Sequence, residues 1–219
     1  MTNAFQHKLE KLYSKMLKMA SIVEDTIQRS VEALRVLDFD TAEKIILEDD
    51  FIDNLEHELE MECLTLLATQ QPLAKDLRLV GATLKVITDL ERIADHAVDI
   101  SRVTLELKGQ KLIKPLIDIP RMASHAVEML HDSITALINE DIDLSNKVMR
   151  SDDFLDDLNQ QIFHELLLLM MSEPKIISQS MQLLMVSMFL ERIGDHATNI
   201  AEWTHYIVTG KKPLVNQQL

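Results

Sequence analysis

Glu91 and Asp95 stand four residues apart, as do Glu191 and Asp195. Four residues along a helix return to one face within about 40°, so each pair would present two carboxylates together. Asp99 extends the first row by a turn, and Asn199, another oxygen donor, extends the second. Two further rows have the same spacing, Asp49 with Asp53 and Asp152 with Asp156, flanked by Asp50 and Asp153. Carboxylate oxygens offered from two helices suit a hard cation such as Mg, Mn, Ca or iron. Zinc is compatible through oxygen ligands, although no set of thiolates favours it. Like charges at this spacing destabilise a helix by about 0.2–0.5 kcal/mol per pair, so something must offset them. Acidic rows are commonly solvated faces, and Arg92, Arg102 and Arg192 are near enough in sequence to neutralise several of these acids. Recurrence of the rows at matching places in two repeats is what favours a metal. His96 and His196 follow the motif aspartates but point about 100° away around the helix, which makes surface histidines of them before ligands.

The elements that carry these rows are written twice. Met19-Ala20-Ser21 reappears as Met122-Ala123-Ser124, and Asp49-Asp50-Phe51 as Asp152-Asp153-Phe154. LERIADHAVDI, from Leu90 to Ile100, returns as LERIGDHATNI, from Leu190 to Ile200. An ordered series of matches across a whole unit is the signature of duplication. Within the third helix of the first unit, Leu90, Ile93, Ala94, Ala97 and Ile100 form the core-facing stripe, with the acids to one side. Punctuation divides each unit into three helices. The spacing predicts helices over 3–37, 41–70 and 73–107, then 117–138, 142–171 and 174–209. Asp40 is the expected cap of the second helix, with Glu43 completing a capping box. Pro72 and Pro174 open the third helix of each unit, where an N–H is not needed. Short connections favour antiparallel neighbours. The fold expected is therefore all-α, two tandem antiparallel three-helix bundles over 1–108 and 121–212, joined by a linker over 109–120 that holds Gly109, Pro115 and Pro120.

Bulk properties agree and exclude other classes. Four glycines and five prolines in 219 residues leave little turn chemistry for a many-stranded sheet. A net charge of -14 opposes phosphate backbones, so nucleic acid is not an expected partner. Cys63 has no second cysteine to bond and reads as a small buried hydrophobe in a reducing cytoplasm. No apolar run approaches the roughly 20 residues of a membrane-crossing helix, which leaves peripheral association through partners. Met181, Met185 and Met188 fall at helical spacing, and core packing is assigned to them ahead of an adaptable partner surface.

With both LERI[AG]DH segments in view, the sequence resembles the PhoU family of phosphate-uptake regulators. The segments match that family's repeated E(D)xxxD motif, and Gln71-Pro72-Leu73-Ala74-Lys75-Asp76-Leu77-Arg78 is similar to its QPxAxDLR stretch. Ala94 stands where glycine is common, and Asn199 replaces an acid, which would make the two sites unequal. The resemblance implies a duplicated six-helix fold with no catalytic turnover, and in some members multinuclear iron or zinc clusters at the motif acids, here Glu91, Asp95, Glu191 and Asp195. It also implies a negative regulator of the phosphate-starvation response. Such a protein would act as an adaptor between a PstB-like ATPase of the phosphate ABC transporter and a PhoR-like sensor histidine kinase, with a homodimer left open.

The main rival is a carboxylate-bridged di-iron enzyme in a helical bundle, which needs an ExxH pair on each of two helices. Only Glu128 with His131 has that form; the matching Asp25 to Gln28 lacks the histidine. A hydrolase built on His131 and Asp132 has no supporting cluster, and a purely structural scaffold would leave the acids as a solubility face.

Overall fold

The computed structural model describes residues 3–213. Six long helices carry the chain: α1 (Asn3–Val36), α2 (Phe39–Gln70), α3 (Lys75–Glu106), α4 (Asp118–Asn139), α5 (Ile142–Ser172) and α6 (Ile177–Thr209). A short 3-10 turn, Pro174–Ile176, leads into α6.

The first turn of the duplicated unit is built differently from the expectation. Asp38, not Asp40, caps α2, accepting a hydrogen bond from the Thr41 N–H at 3.1 Å. Leu37 takes the left-handed conformation (φ 55°), and the Asp38 N–H reaches back to the Ala33 carbonyl, which closes α1 and starts α2 early. The second repeat uses the same device: Glu140 is left-handed, the Asp141 N–H donates to the Ala136 carbonyl, and Asp141 accepts from the Leu144 N–H. Asp40 lies within the first turn, where its charge still complements the helix dipole.

One continuous apolar core serves all six helices. Leu12, Met16, Met19 and Ile27 of α1 are fully buried together with Val86, Leu90 and Ile93 of α3, Met122 and Leu130 of α4, and Leu190 and Ile193 of α6. The halves meet because α3 packs along α6 and α1 along α4. Cys63 is buried here, and that burial pushes its thiol up to about 12.

The α3–α6 seam is antiparallel and fastened at both ends. At one end the Arg78 guanidinium, from the start of α3, donates through Nε and Nη2 to the Ile207 carbonyl at 3.2 and 3.1 Å. That carbonyl belongs to the last turn of α6, where main-chain oxygens lack helical partners. At the other end Gln182 donates to Glu106 at 2.9 Å. The connection between the halves is strapped to α6 as well. The buried Gln179 side chain accepts from the Ile113 N–H at 2.6 Å and donates to the Lys111 carbonyl at 3.1 Å. Helix α4 starts at Asp118, so Pro120 falls inside its first turn, a position that tolerates a missing N–H.

Not every apolar residue at helical spacing is inside. Met181, Met185 and Met188 are 50%, 45% and 47% exposed, which corrects their assignment to the core. They share one side of α6, but the core takes the neighbouring stripe of Leu183, Val186 and Leu190. Among the described residues, no helix is long and apolar enough to cross a membrane.

Candidate metal centre

Each repeat brings its two acidic rows together. In the second, Asp152 and Asp156 of α5 face Glu191 and Asp195 of α6. The approach has an electrostatic consequence: burial first, then Asp195, pushes Asp152 from an ordinary 3.8 up to about 7. Burial and Asp195 likewise raise Asp156 and Glu191. In the first repeat Asp49 and Asp53 of α2 face Glu91 and Asp95 of α3. Burial, then Asp53 and Asp95, raises Asp49, and burial with Asp95 raises Glu91.

Local sequence explains why Asp49, Glu91, Asp95, Asp152 and Glu191 are half-buried while Asp53, Asp156 and Asp195 stay exposed. The core stripe of α6 runs through Leu190, Ile193 and Ala197, so Glu191 and Asp195 sit at its edge, over the α5 contact. Gly194 permits that contact. A Cβ built on it would collide with Leu155 Cδ1 and lie 3.0 Å from Asp152 Oδ1. The equivalent Ala94 of α3 is buried with its methyl in place.

The two clusters differ in counter-charge. Arg92 pairs with Asp95 at 3.0 Å and approaches Glu91 at 3.3 Å, and Arg102 comes within 4.0 Å of Asp49. Arg102 binds Asp99 more closely, at 2.6 Å, and His96 is 3.9 Å from the other Asp99 oxygen. Asp99 is thus occupied by a cation at the edge of the quartet. In the second repeat the place of Arg102 is taken by Glu202, which pairs with Lys212 at 3.3 Å. Arg192 lowers Glu191 electrostatically and forms no ion pair with it among the described residues. Asn199 is half-buried one turn beyond Asp195.

The donor types fit a hard cation: the buried Asp49 Oδ1 has no hydrogen-bond partner, and the buried Glu91 Oε2 has only the Arg92 guanidinium beside it, at 3.3 Å without a hydrogen bond. Among the described residues, no three His, Cys, Asp or Glu side chains converge tightly enough to hold an ion as they stand. An ion would have to draw the facing rows together, and its charge would cancel the repulsion that helps to raise the proton affinity of Asp49, Glu91, Asp152, Asp156 and Glu191.

His96 and His196 are neither free surface residues nor part of the acidic quartets. Their rings meet at the seam between the halves, with centroids 5.9 Å apart. His196 Nδ1 lies 2.9 Å from Asp89 Oδ1, whereas His96 stacks on Phe189, the residue that replaces Asp89 in the second repeat. Burial, His196 and Arg192 together outweigh Asp99 and Asp95 and hold His96 below its ordinary value. Residue spacing alone cannot reveal this pair, because it depends on how α3 crosses α6.

The Glu128 and His131 pair on which the di-iron rival would draw lies at the surface. His131 is 67% exposed and lies 3.3 Å from Glu24, while Lys147 holds Asp132 at 2.9 Å and approaches Glu128 at 3.8 Å.

The architecture has relatives. A family model, the PhoU domain, matches the chain twice, over residues 16–104 and 119–204. The chain belongs to the PhoU family. It is 40% identical over 213 residues to a protein of Clostridium acetobutylicum named phosphate-specific transport system accessory protein PhoU homolog, with 97% of each chain covered. It is 32% identical to the PhoU protein of Escherichia coli, covering 94% of this chain and 86% of that one. The crystal structure of PhoU from Pseudomonas aeruginosa superposes with a TM-score of 0.90 at 33% identity, covering 94% of this chain and all of the other. The PhoU regulatory protein of Streptococcus pneumoniae gives 0.85 at 26% identity. Both PhoU matches include the facing acidic rows, so the duplicated unit and the candidate centre coincide.

Proposed function

We propose that the protein is an accessory component of a phosphate-specific transport system that restrains the phosphate-starvation response when phosphate is plentiful. Full-length similarity to proteins named for that system carries the reading. In it the chain is a non-enzymatic adaptor in the cytoplasm, touching the transporter's PstB-like ATPase and a PhoR-like sensor kinase. A body fastened along one seam suits this role, because two weak contacts held in fixed geometry reinforce each other through effective concentration.

Metal binding belongs to the same proposal. Asp152, Asp156, Glu191 and Asp195 would hold an ion in the second repeat, and Asp49, Asp53, Glu91 and Asp95 in the first. Iron or zinc follows from the family resemblance, while oxygen ligands also suit Mg, Mn or Ca. What supports the ion is the facing of like charges across two helix pairs, with Asp49, Glu91, Asp152 and Glu191 half-buried among them.

Deletion of the gene tests the regulatory reading. Phosphate-starvation genes are expected to switch on in phosphate-rich medium and to be silenced again by the wild-type gene. A deletion strain in which they stay off, with neither kinase nor ATPase recovered in pull-downs from membranes, overturns it.

A further inference from the structure

Met181, Met185 and Met188 of α6, with Phe163 of α5, line an open groove of about 680 Å3 that also reaches Glu191 and Asp195. Phe163 is 47% exposed, comparable to the three methionines. The fold does not require this apolar lining. The equivalent helices of the first repeat carry Gly81, Lys85, Thr88 and Glu60 at the matching positions, above the same kind of core. Exposed Leu168 and Met171 add further apolar surface on α5. The first repeat exposes Met61, Leu64 and Leu77 on the corresponding helices but not an apolar lining at these four positions, and a groove lining that only one of two duplicated units makes apolar marks a surface kept for contact. Methionine side chains are unbranched and adapt to the shape laid on them.

We propose that this groove receives an amphipathic helix of a partner protein, apolar over the methionines and carrying Lys or Arg over Glu191 and Asp195. Spacings of three and four along Met181, Met185 and Met188 match the i, i+3, i+4 teeth of a helix laid in a groove. From Met181 to Asp195 the helix rises about 21 Å, the length of roughly four turns of a partner. Charge selects the end. Arg192 borders the groove there but leaves both acids without an ion pair among the described residues, so in the metal-free protein an incoming cation finds unneutralised carboxylates, and an ion held by the same oxygens would compete with it. The same acids repel anionic lipid headgroups, which argues against a membrane as the occupant. A second copy of this chain is a poor match as well. Its exposed basic row, Lys8, Lys11, Lys15 and Lys18 of α1, belongs to a helix whose apolar face is buried in its own core.

The proposal needs no metal and stands apart from the phosphate reading, so its test is run on the full chain in chelator. The probe is a fluorescent synthetic four-turn helix with leucines on one face and arginines at one end; a second version carries glutamates at that end. Fluorescence anisotropy should show the arginine peptide binding and the glutamate peptide not. The variant F163E/M185K/M188T, which copies the first repeat at exposed positions, should weaken binding more than about tenfold with an unchanged thermal melt. Should that variant melt early, M185K alone carries the same expectation. E191Q/D195N should weaken the arginine peptide and flatten its salt dependence. Equal binding by the folded repeat-copying variant overturns the proposal. So does a wild-type dimer that this variant converts to monomer, or wild-type binding to phosphatidylcholine vesicles that this variant loses.

Discussion

Asp152 on α5 lies directly against Gly194 on α6, with 3.0 Å between the Asp152 Oδ1 oxygen and the place a Cβ of residue 194 would occupy. This close approach half-buries Asp152 beside Glu191 and Asp195, and burial first, then Asp195, pushes its carboxyl up to about 7. The absence of one methyl group thereby helps to tune the charge state of a site little more than about one helical turn long, from Glu191 to Asp195.

Gly194→Ala is expected to destabilise the protein by about 1–3 kcal/mol, because the added methyl must displace Leu155 as well as Asp152. Ordinary helix propensity would predict the reverse, a gain of about 0.5–1 kcal/mol for Ala over Gly. Urea unfolding of the variant decides between the two signs.

The raised Asp152 gives a pH dependence of definite sign. Its folded value, about 7, exceeds the ordinary 3.8, so its stabilising contribution is complete below 3.8 and is lost as pH rises through 7. His96, held low by burial, works oppositely, contributing above 6.5 and losing that contribution as pH falls. Comparing Asp152→Asn with wild type in chelator isolates the aspartate. The variant should melt a few degrees higher at pH 8, and the difference should shrink toward zero at pH 5. Equal melting temperatures at pH 8 would contradict the buried position.

The two clusters should bind divalent metal unequally. Arg92 and Arg102 already neutralise part of the first, whereas no ion pair does so for Glu191. Glu191→Ala with Asp195→Ala is expected to remove more bound metal from purified protein than Glu91→Ala with Asp95→Ala. Metal content measured by elemental mass spectrometry provides the comparison, and a larger loss from the first pair would reverse the ordering.

Arg78 fastens the start of α3 to the end of α6. Arg78→Ala should cost about 1.5–3 kcal/mol, the range for hydrogen bonds to a charged group, and should speed hydrogen exchange in the last turns of α6. Unchanged exchange there would assign the two hydrogen bonds no role in holding the halves together.

Much of this was legible in the chain. Helical periodicity and the duplicated Leu90–Ile100 and Leu190–Ile200 segments determined six helices in two equivalent units, because a period of 3.6 residues is a local property. The acids Glu91, Asp95, Glu191 and Asp195 could be placed on one face each for the same reason. Local chemistry was less decisive at the α1–α2 turn: Asp38 and Asp40 are both good caps, and the left-handed Leu37 chose between them.

Tertiary structure alone decided how the units meet. Both repeats contain the same core stripe, and nothing in either one specifies that α3 crosses α6 antiparallel, that Arg78 reaches the Ile207 carbonyl, or that His96 meets His196. It also decided which methionines are buried: Met19 is enclosed and Met185 half exposed at equally helical spacing, because burial depends on which neighbouring helix covers a face. The acidic spacing was a property of the sequence, whereas the raised proton affinity of Asp152 arises from its burial against α6 and from Asp195 there. A charge responds to everything within a few ångströms, and those distances exist only once the helices have packed.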